Sequence, residues 1–232
     1  MDCRMEPCTL DDADALAVNN GGAFWRQPYW RILWPADMKE EYIVEQLRKK
    51  VPAHLLLLNR NERRHEKAVD NATGALLGYA RWTMPPSFVE QWKDRQVADV
   101  ADAERTTFET LAESAWWEPR GDMGELDEKI DAARERVVGA LKEYMELEYL
   151  AVHPKNQGRG IATELVRSGL RQAEKLGLPV LVMAFDVSRG IYLRLGFREV
   201  EQVLQDDTKF GGSGHYNAYF LIWEPPTAAD AS

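Results

Sequence analysis

The second half of the chain alternates strand and helix patterns, and this alternation restricts the fold more than any other feature. A strand is predicted over Glu146–Val152, followed by an amphipathic helix over Ile161–Leu176 that Gly177 closes. Pro179–Phe185 is a continuous apolar run, which is typical of a buried strand parallel to its predecessor. A short helix over Val187–Leu195 and two further strands follow. We therefore expect an α/β fold.

The first half is predicted to be helical, with one hairpin. A first helix is expected to end at Gly21-Gly22, and a second is expected from about 37 to 50. Pro52 should break that helix before a short third one at 55–60. Two runs within 66–84 are separated by turn residues and predict a β-hairpin.

Residues 87–145 are polar and helix-rich, and we interpret them as a helical insertion between the third and fourth strands. The segment holds 15 acids and 8 bases, and thus carries −7 of the net charge of −9. A solvated helical face explains most such charge runs. The 232-residue length predicts one domain over 1–226, with a core at 146–223 and a frayed tail at 227–232.

Composition excludes several classes of protein. The sequence pI near 5.1 argues against a nucleic-acid partner or an anionic membrane surface, and no run approaches the roughly 18 apolar residues of a membrane span. Cys3 and Cys8 are the only cysteines, which makes a disulfide scaffold or a zinc site improbable. No signal peptide is recognisable at the start of the chain. We expect a cytoplasmic protein without a bound metal.

A glycine-rich segment between the first predicted strand of the core and its helix carries the clearest chemical signal. It reads Gln157-Gly158-Arg159-Gly160-Ile161-Ala162. Helix N-termini present unpaired N–H groups that bind phosphates, and glycine lets the backbone close around an anion. A tight strand-to-helix turn would require the same glycines. Neither G-x-G-x-x-G nor G-x-x-x-x-G-K-[ST] is present.

With a second motif, this segment resembles the GNAT superfamily of N-acetyltransferases. The first motif fits the acyl-CoA signature Q/R-x-x-G-x-G/A. The second, Tyr192-Leu193-Arg194-Leu195-Gly196-Phe197, fits a tyrosine four residues before Gly-Phe. The resemblance covers 146–223 strongly and 9–84 plausibly. It implies the acyl-CoA N-acyltransferase fold, with a mixed central sheet and splayed parallel strands, and an acetyl-CoA-dependent N-acetyltransferase.

The resemblance also implies where acetyl-CoA binds. Its pyrophosphate would sit on the helix start, and its pantetheine would pair with backbone groups of Leu150 and Val152 between the splayed strands. The Leu150 N–H would stabilise the oxyanion that forms from the thioester carbonyl. Arg159 would either add charge near a phosphate or simply be exposed. The residues implied in cofactor binding are Leu150, Ala151, Val152, Gln157, Gly158, Arg159, Gly160, Ile161, Ala162 and Thr163.

Tyr192 matches the family's general acid, which protonates the departing thiolate; simple packing is the alternative for this residue. The sequence departs from the family pattern N-x-x-A-x-x-x-Y, because Phe185 and Ser188 replace its Asn and Ala. This departure puts a contact to pantetheine near Phe185 in doubt, and leaves the expected fold intact.

The general base is sought among carboxylates of the first core strand. Period two places Glu146 and Glu148 on one face with Leu150 and Val152, and either acid could serve as the base or as a salt-bridged rim residue. Two further candidates lie on the last strand, His215 and Tyr219.

The resemblance implies direct attack by an amine in a ternary complex, and we expect the acceptor to be a small molecule. Aromatic residues within Phe24–Trp34 either enclose that amine or pack in the core. The rival hypotheses are a protein or peptide N-acetyltransferase and a non-catalytic acyl-CoA-binding sensor. The expected assembly is a monomer or a homodimer.

Overall fold

The computed structural model describes residues 2–57 and 61–226. Its strands are β1 (Cys3–Pro7), β2 (Arg63–Asp70), β3 (Leu76–Thr83), β4 (Met145–Ala151), β5 (Val180–Phe185), β6 (Arg198–Asp206) and β7 (His215–Trp223). Its α-helices are α1 (Ala13–Trp25), α2 (Pro28–Arg31), α3 (Glu40–Leu57), α4 (Asp102–Glu113), α5 (Gly124–Gly139), α6 (Ile161–Leu176) and α7 (Asp186–Arg194). The predicted frayed tail at 227–232 and the predicted helix residues 58–60 lie outside the described residues.

The seven strands form one mixed sheet in the order β1-β2-β3-β4-β5-β7-β6. β4 and β5 are parallel, and the other neighbouring pairs are antiparallel. The parallel pair is joined only from Met145 with Val180 to Leu147 with Val182. Beyond these residues the two strands diverge, so the expected α/β fold with splayed parallel strands is confirmed.

Helices cover both faces of the sheet. On one face α6 packs over β2, β3 and β4, and α7 packs over β5. The cluster on this face includes Trp82, Leu147, Leu165 and Val182. On the other face α1 and α3 cover the β3 side, and α5 covers β5, β6 and β7. Each strand of the centre is therefore buried on two sides, which explains the continuous apolar run of β5.

The predicted end of the first helix at Gly21-Gly22 is wrong, because α1 continues through both glycines to Trp25. A Cβ at Gly21 would lie 2.7 Å from the Val44 side chain, and one at Gly22 would lie 2.5 Å from the His153 ring. These glycines therefore allow close packing of α1 against α3 and against the turn after β4. Helix termination is not their role.

The predicted break at Pro52 is also wrong. α3 runs through this residue, so the expected second and third helices are one. Proline removes one backbone hydrogen bond from a helix, and burial of Val51, Leu55 and Leu56 offsets that loss. β1, which is short and pairs with β2, was not predicted.

The segment 87–145 lies between β3 and β4, as expected. It contains α4 and α5, preceded by 3-10 turns within Pro86–Arg95 that are interrupted by a kink at Trp92. Trp92 packs near Trp82, with ring centroids 6.1 Å apart, so the segment is anchored in the core. Across the two described ranges, no helix combines the length and apolar character needed to cross a membrane.

Candidate active site

A cleft of about 570 Å³ opens where β4 and β5 diverge. Its walls come from β4 at 147–150, β5 at 182–185, the start of α6, and α7. The end of α1 and the start of α2 close its far side with Phe24, Gln27 and Tyr29. The topology thus brings both sequence motifs to one cavity.

The glycine-rich segment forms one end of this cleft. Gly158 and Gly160 have φ values of 74° and 76°, in the left-handed region that favours glycine. α6 begins directly after Gly160, and its first-turn N–H groups at 161–163 have no acceptor within the helix. Residues 160–163 line the cleft, so this end is suited to an anion such as phosphate.

Gln157 and Val152 both line the cleft, but they also bond to each other. The Gln157 side-chain amide donates to the Val152 carbonyl at 3.0 Å and ties the loop to the end of β4. The Val152 carbonyl already accepts this hydrogen bond. The expected pairing of Val152 with pantetheine would therefore have to use another group of that residue. Leu150 lies beyond the last β4–β5 pair and lines the cleft.

Two other cofactor candidates do not line the cleft. The Ala151 carbonyl accepts a hydrogen bond from Asn19 at 3.1 Å, so that residue faces α1. The Arg159 side chain is about half exposed, and its guanidinium lies 3.6 Å from Asp70. Of its two alternative roles, the exposed position agrees better with this geometry.

The predicted shared face of Glu146, Glu148, Leu150 and Val152 is wrong, because β4 contains a β-bulge. Arg81 pairs with Tyr149, whereas the next β3 residue, Trp82, pairs with Leu147. An extra residue in one strand shifts the alternation of side chains beyond it. Leu150 and Val152 consequently pack with Leu147 in the α6 cluster, on the opposite face from the two acids.

Of the two acids, Glu148 lines the cleft. Its Oε2 lies 2.8 Å from Arg81 Nε and 3.0 Å from Arg63 Nε. Burial opposes ionisation of this group, but the Arg81 charge, a hydrogen bond from Thr83 and then Arg63 together outweigh burial and hold the Glu148 pKa below its usual value. Glu148 is therefore ionised at neutral pH.

Glu146 lies outside the cleft lining and pairs with Arg134 of α5 at 2.5 Å. Burial raises its pKa, and Arg134 opposes that rise. The structure thus separates the two candidate bases, and Glu148 alone of the two borders the cavity.

Tyr192 lines the cleft from α7 and is 3% exposed. Its ring packs edge-on against Phe197, with centroids 5.4 Å apart, so the Gly-Phe part of the motif orients it. Burial, and then the nearby Tyr29, raises the Tyr192 pKa, so its hydroxyl stays protonated and can donate. Phe185 and Ser188 also line the cleft, and the Ser188 hydroxyl donates to the Phe185 carbonyl at 3.3 Å.

The two candidates on β7 are not part of the cleft lining. The Tyr219 hydroxyl donates to Asp186 Oδ1 at 2.8 Å. His215 is exposed and lies 3.5 Å from Asp206. Neither is placed to act on a group bound between β4 and β5.

Aromatic rings form the end of the cleft opposite the glycines. Phe24 contacts Tyr149 at a centroid distance of 4.8 Å, and Tyr29 contacts Phe185 at 4.0 Å. Trp34 instead is buried against Trp117 in the core, so the aromatic segment divides between both expected roles.

Sequence analysis did not identify Tyr149 or Arg194 as site residues. Strict period two turns Tyr149 away from Glu148, and only the bulge brings both to the cavity. Arg194 lies inside the second motif, two residues after Tyr192, and that spacing was the available signal. It is the one cation among the described residues that line the cleft.

Comparison with known proteins agrees with this geometry. Residues 97–208 match the family model described as "Acetyltransferase (GNAT) domain". No curated protein matches the sequence.

Solved structures with this fold include three with low sequence identity. A Corynebacterium glutamicum structure described as histone acetyltransferase HPA2 and related acetyltransferase is 17% identical, with a TM-score of 0.58 and 98% of both chains covered. Arylalkylamine N-acetyltransferase 2 from Aedes aegypti is 13% identical, with a TM-score of 0.55, covering 97% of this chain and 100% of that one. Drosophila melanogaster polyamine N-acetyltransferase, which forms N-acetylagmatine, is 13% identical, with a TM-score of 0.53 and coverages of 96% and 100%. These likenesses concern the fold.

Proposed function

We propose that this chain, an acetyltransferase of the GNAT family, transfers the acetyl group of acetyl-CoA to the nitrogen of a small-molecule amine by direct attack. The observation that carries the proposal is the continuity of the cleft. One cavity runs from the anion-binding start of α6, past Tyr192, to the aromatic end that holds Glu148.

The residues of the cleft fit acetyl-CoA. The first-turn N–H groups of α6 would hold the pyrophosphate, since they lack helical acceptors. β4 beyond Leu147 has no β5 partner, so its backbone groups that face the gap are available to the pantetheine arm. The exposed Arg194 would add a positive charge for a phosphate group.

The remaining groups suit acyl transfer. The amine nitrogen would attack the thioester carbon while the C–S bond breaks, and the Tyr192 hydroxyl would donate to the sulfur as negative charge develops there. Ionised Glu148 would attract the ammonium group and relay its proton to solvent. Cys3 lies on β1 and Cys8 is buried, and neither of them lines the cleft. Neither cysteine is therefore placed to carry the acetyl group as an intermediate, which supports direct attack by the amine.

The test measures thiol release from acetyl-CoA with a panel of acceptors. We expect release with 2-phenylethylamine and none with its N,N-dimethyl analogue, which has a similar shape and charge but no N–H to acetylate. Gly160→Glu, which places an acid at the phosphate end, should abolish acetyl-CoA binding in calorimetry. Faster turnover of lysine-containing or free N-terminal peptides would show a protein acetyltransferase, and contradict the proposal.

A further inference from the structure

Two buried amide side chains interrupt the apolar face of α1, and one of them holds the end of β4. Asn19 and Asn20 are 3% and 8% exposed. Asparagine has a low helix propensity, and a buried amide costs free energy unless it is hydrogen-bonded. Asn19 Nδ2 donates to the Ala151 carbonyl at 3.1 Å and to Asn20 Oδ1 at 3.0 Å. Asn19 Oδ1 accepts from the His153 N–H at 3.0 Å, so both ends of one amide bind the backbone after β4.

This contact replaces strand pairing where β3 and β4 separate. The last pair of the two strands joins Tyr79 to Ala151. Beyond it, the Asn19 amide offers one donor and one acceptor to alternate residues of the chain, as a neighbouring strand does. α1 approaches this closely because Gly22, one turn after Asn19, has no side chain. A Cβ there would lie 2.5 Å from the His153 ring.

The other side of the same backbone faces the cleft. In an extended chain the N–H and C=O groups of successive residues point to opposite sides, so those of Leu150 and Val152 point away from Asn19. In agreement with this geometry, Gln157, which lines the cleft, bonds to the Val152 carbonyl at 3.0 Å. Leu150 lies beyond the last β4–β5 pair. Asn19 therefore fixes the direction in which the Leu150 backbone groups point into the gap.

We infer that Asn19 is a positioning residue for acetyl transfer, which sets the backbone of β4 for the thioester although Asn19 itself does not line the cleft. The inference rests on the proposed function, in which β4 beyond Leu147 holds the pantetheine arm. A misdirected Leu150 N–H would bind acetyl-CoA more weakly and would lose its stabilisation of the oxyanion in the transition state.

The first experiment compares two buried amides by acetyl-CoA calorimetry and by the thiol-release assay. Asn19→Leu keeps the branched shape and removes both bonds to the backbone. We expect it to weaken acetyl-CoA binding by about fivefold or more. We also expect kcat at saturating acetyl-CoA to fall by about tenfold or more.

Gln46→Met is the matched control. Gln46 of α3 is also 3% exposed, and its Oε1 accepts from the Trp116 N–H at 2.9 Å, outside the cleft lining. This variant likewise leaves a backbone N–H without its side-chain acceptor, so it should lose stability but keep the wild-type Kd and kcat. Thermal melts place the two variants on one stability scale.

The outcomes separate the inference from the proposed function. Wild-type Kd and kcat in folded Asn19→Leu overturn the inference while the proposed function stands. An equal loss of activity in Gln46→Met at a matched melting temperature also overturns it, because any buried amide would then have the same effect. If wild-type protein neither binds acetyl-CoA nor releases thiol with the panel of acceptors, the proposed function fails and the inference fails with it.

The second experiment uses wild-type protein alone and decides the matter if Asn19→Leu does not fold. Amide hydrogen exchange, followed by NMR on isotope-labelled protein, reports on the His153 N–H, whose acceptor is Asn19 Oδ1. We expect this N–H to be protected by about a hundredfold or more before acetyl-CoA is added, because its hydrogen bond is already formed. Exchange at the rate of an unfolded chain in the free protein would show that Asn19 does not hold the end of β4, and would overturn the inference.

Discussion

The hydroxyl of Tyr192 provides a direct test of chemistry in the cleft, because Phe retains the ring packing against Phe197. We expect Tyr192→Phe to bind acetyl-CoA normally and to lose roughly 10²–10⁴ in kcat, the usual range for a missing general acid. Tyr219→Phe is the matched control, since it removes a hydroxyl bonded to Asp186 outside the cleft lining. Steady-state kinetics at saturating acetyl-CoA would measure both variants. Wild-type kcat in Tyr192→Phe at neutral and alkaline pH would remove Tyr192 from the mechanism.

Arg194 is predicted to act through binding alone. It is exposed at the edge of the cleft, and it is the one positively charged side chain among the described residues that line the cleft. Arg194→Gln should weaken acetyl-CoA binding roughly tenfold and make affinity less dependent on salt, because one charge-assisted phosphate contact is lost. Arg198→Gln, on β6 near Glu224, removes an arginine outside the cleft lining and should bind normally. Calorimetric titration at two salt concentrations distinguishes these outcomes, and equal affinities in the two variants would contradict the assignment.

At the scale of elements, the contact of α6 with β3 positions the start of α6 at the cleft. A Cβ added at Gly169 of α6 would overlap the ring of Trp82, which is fully buried. We expect Gly169→Ala to lower the free energy of unfolding by about 1–3 kcal/mol, despite the better helix propensity of alanine. Gly139→Ala in α5 meets no neighbouring atom and should be neutral or slightly stabilising. Urea unfolding would measure both, and an unchanged Gly169→Ala would show that α6 can shift away from β3.

The sequence predicted the elements whose local pattern agrees with their packing. β5, α6 and the hairpin of β2 and β3 follow from apolar runs, helical periodicity and turn residues. The errors occur where a distant contact overrides a local preference: Val44 and His153 explain the glycines inside α1, and buried neighbours retain Pro52 in α3. The bulge in β4 has no local signature in the sequence. For this reason the sequence placed both acids on one face with Leu150 and Val152, whereas the structure places these two apolar residues on the opposite face.

Across the whole molecule, acidic charge is kept apart from the cleft. The segment 87–145 carries −7 of the net charge of −9, and none of its described residues lines the cavity. Its helices instead pack on α3 and on the β6–β7 part of the sheet. A polyanionic co-substrate can therefore approach a cleft whose described lining has one basic and one acidic residue, despite the acidity of the chain.

Buried His65 connects the stability of the whole sheet to pH. Burial, followed by the charges of Arg81, Arg63 and Arg64, lowers the pKa of His65 from its usual 6.5 to about 3, and its Nδ1 lies 2.8 Å from the Tyr79 hydroxyl. As pH falls below 6.5 the unfolded chain takes up a proton that the folded protein excludes, so stability is complete above that pH and is lost toward 3. At about pH 5 the loss from this one group is roughly 2 kcal/mol.

His65→Gln removes the titrating group and should lower stability at neutral pH through the changed packing. The difference in the free energy of unfolding between about pH 7 and pH 5 should nevertheless shrink by roughly 2 kcal/mol relative to wild type. Urea unfolding of both proteins at the two pH values measures this difference directly, because the packing defect is common to both conditions and cancels. An equal pH dependence in wild type and variant would mean that His65 accepts its proton without unfolding, through an opening of the β2–β3 region toward solvent.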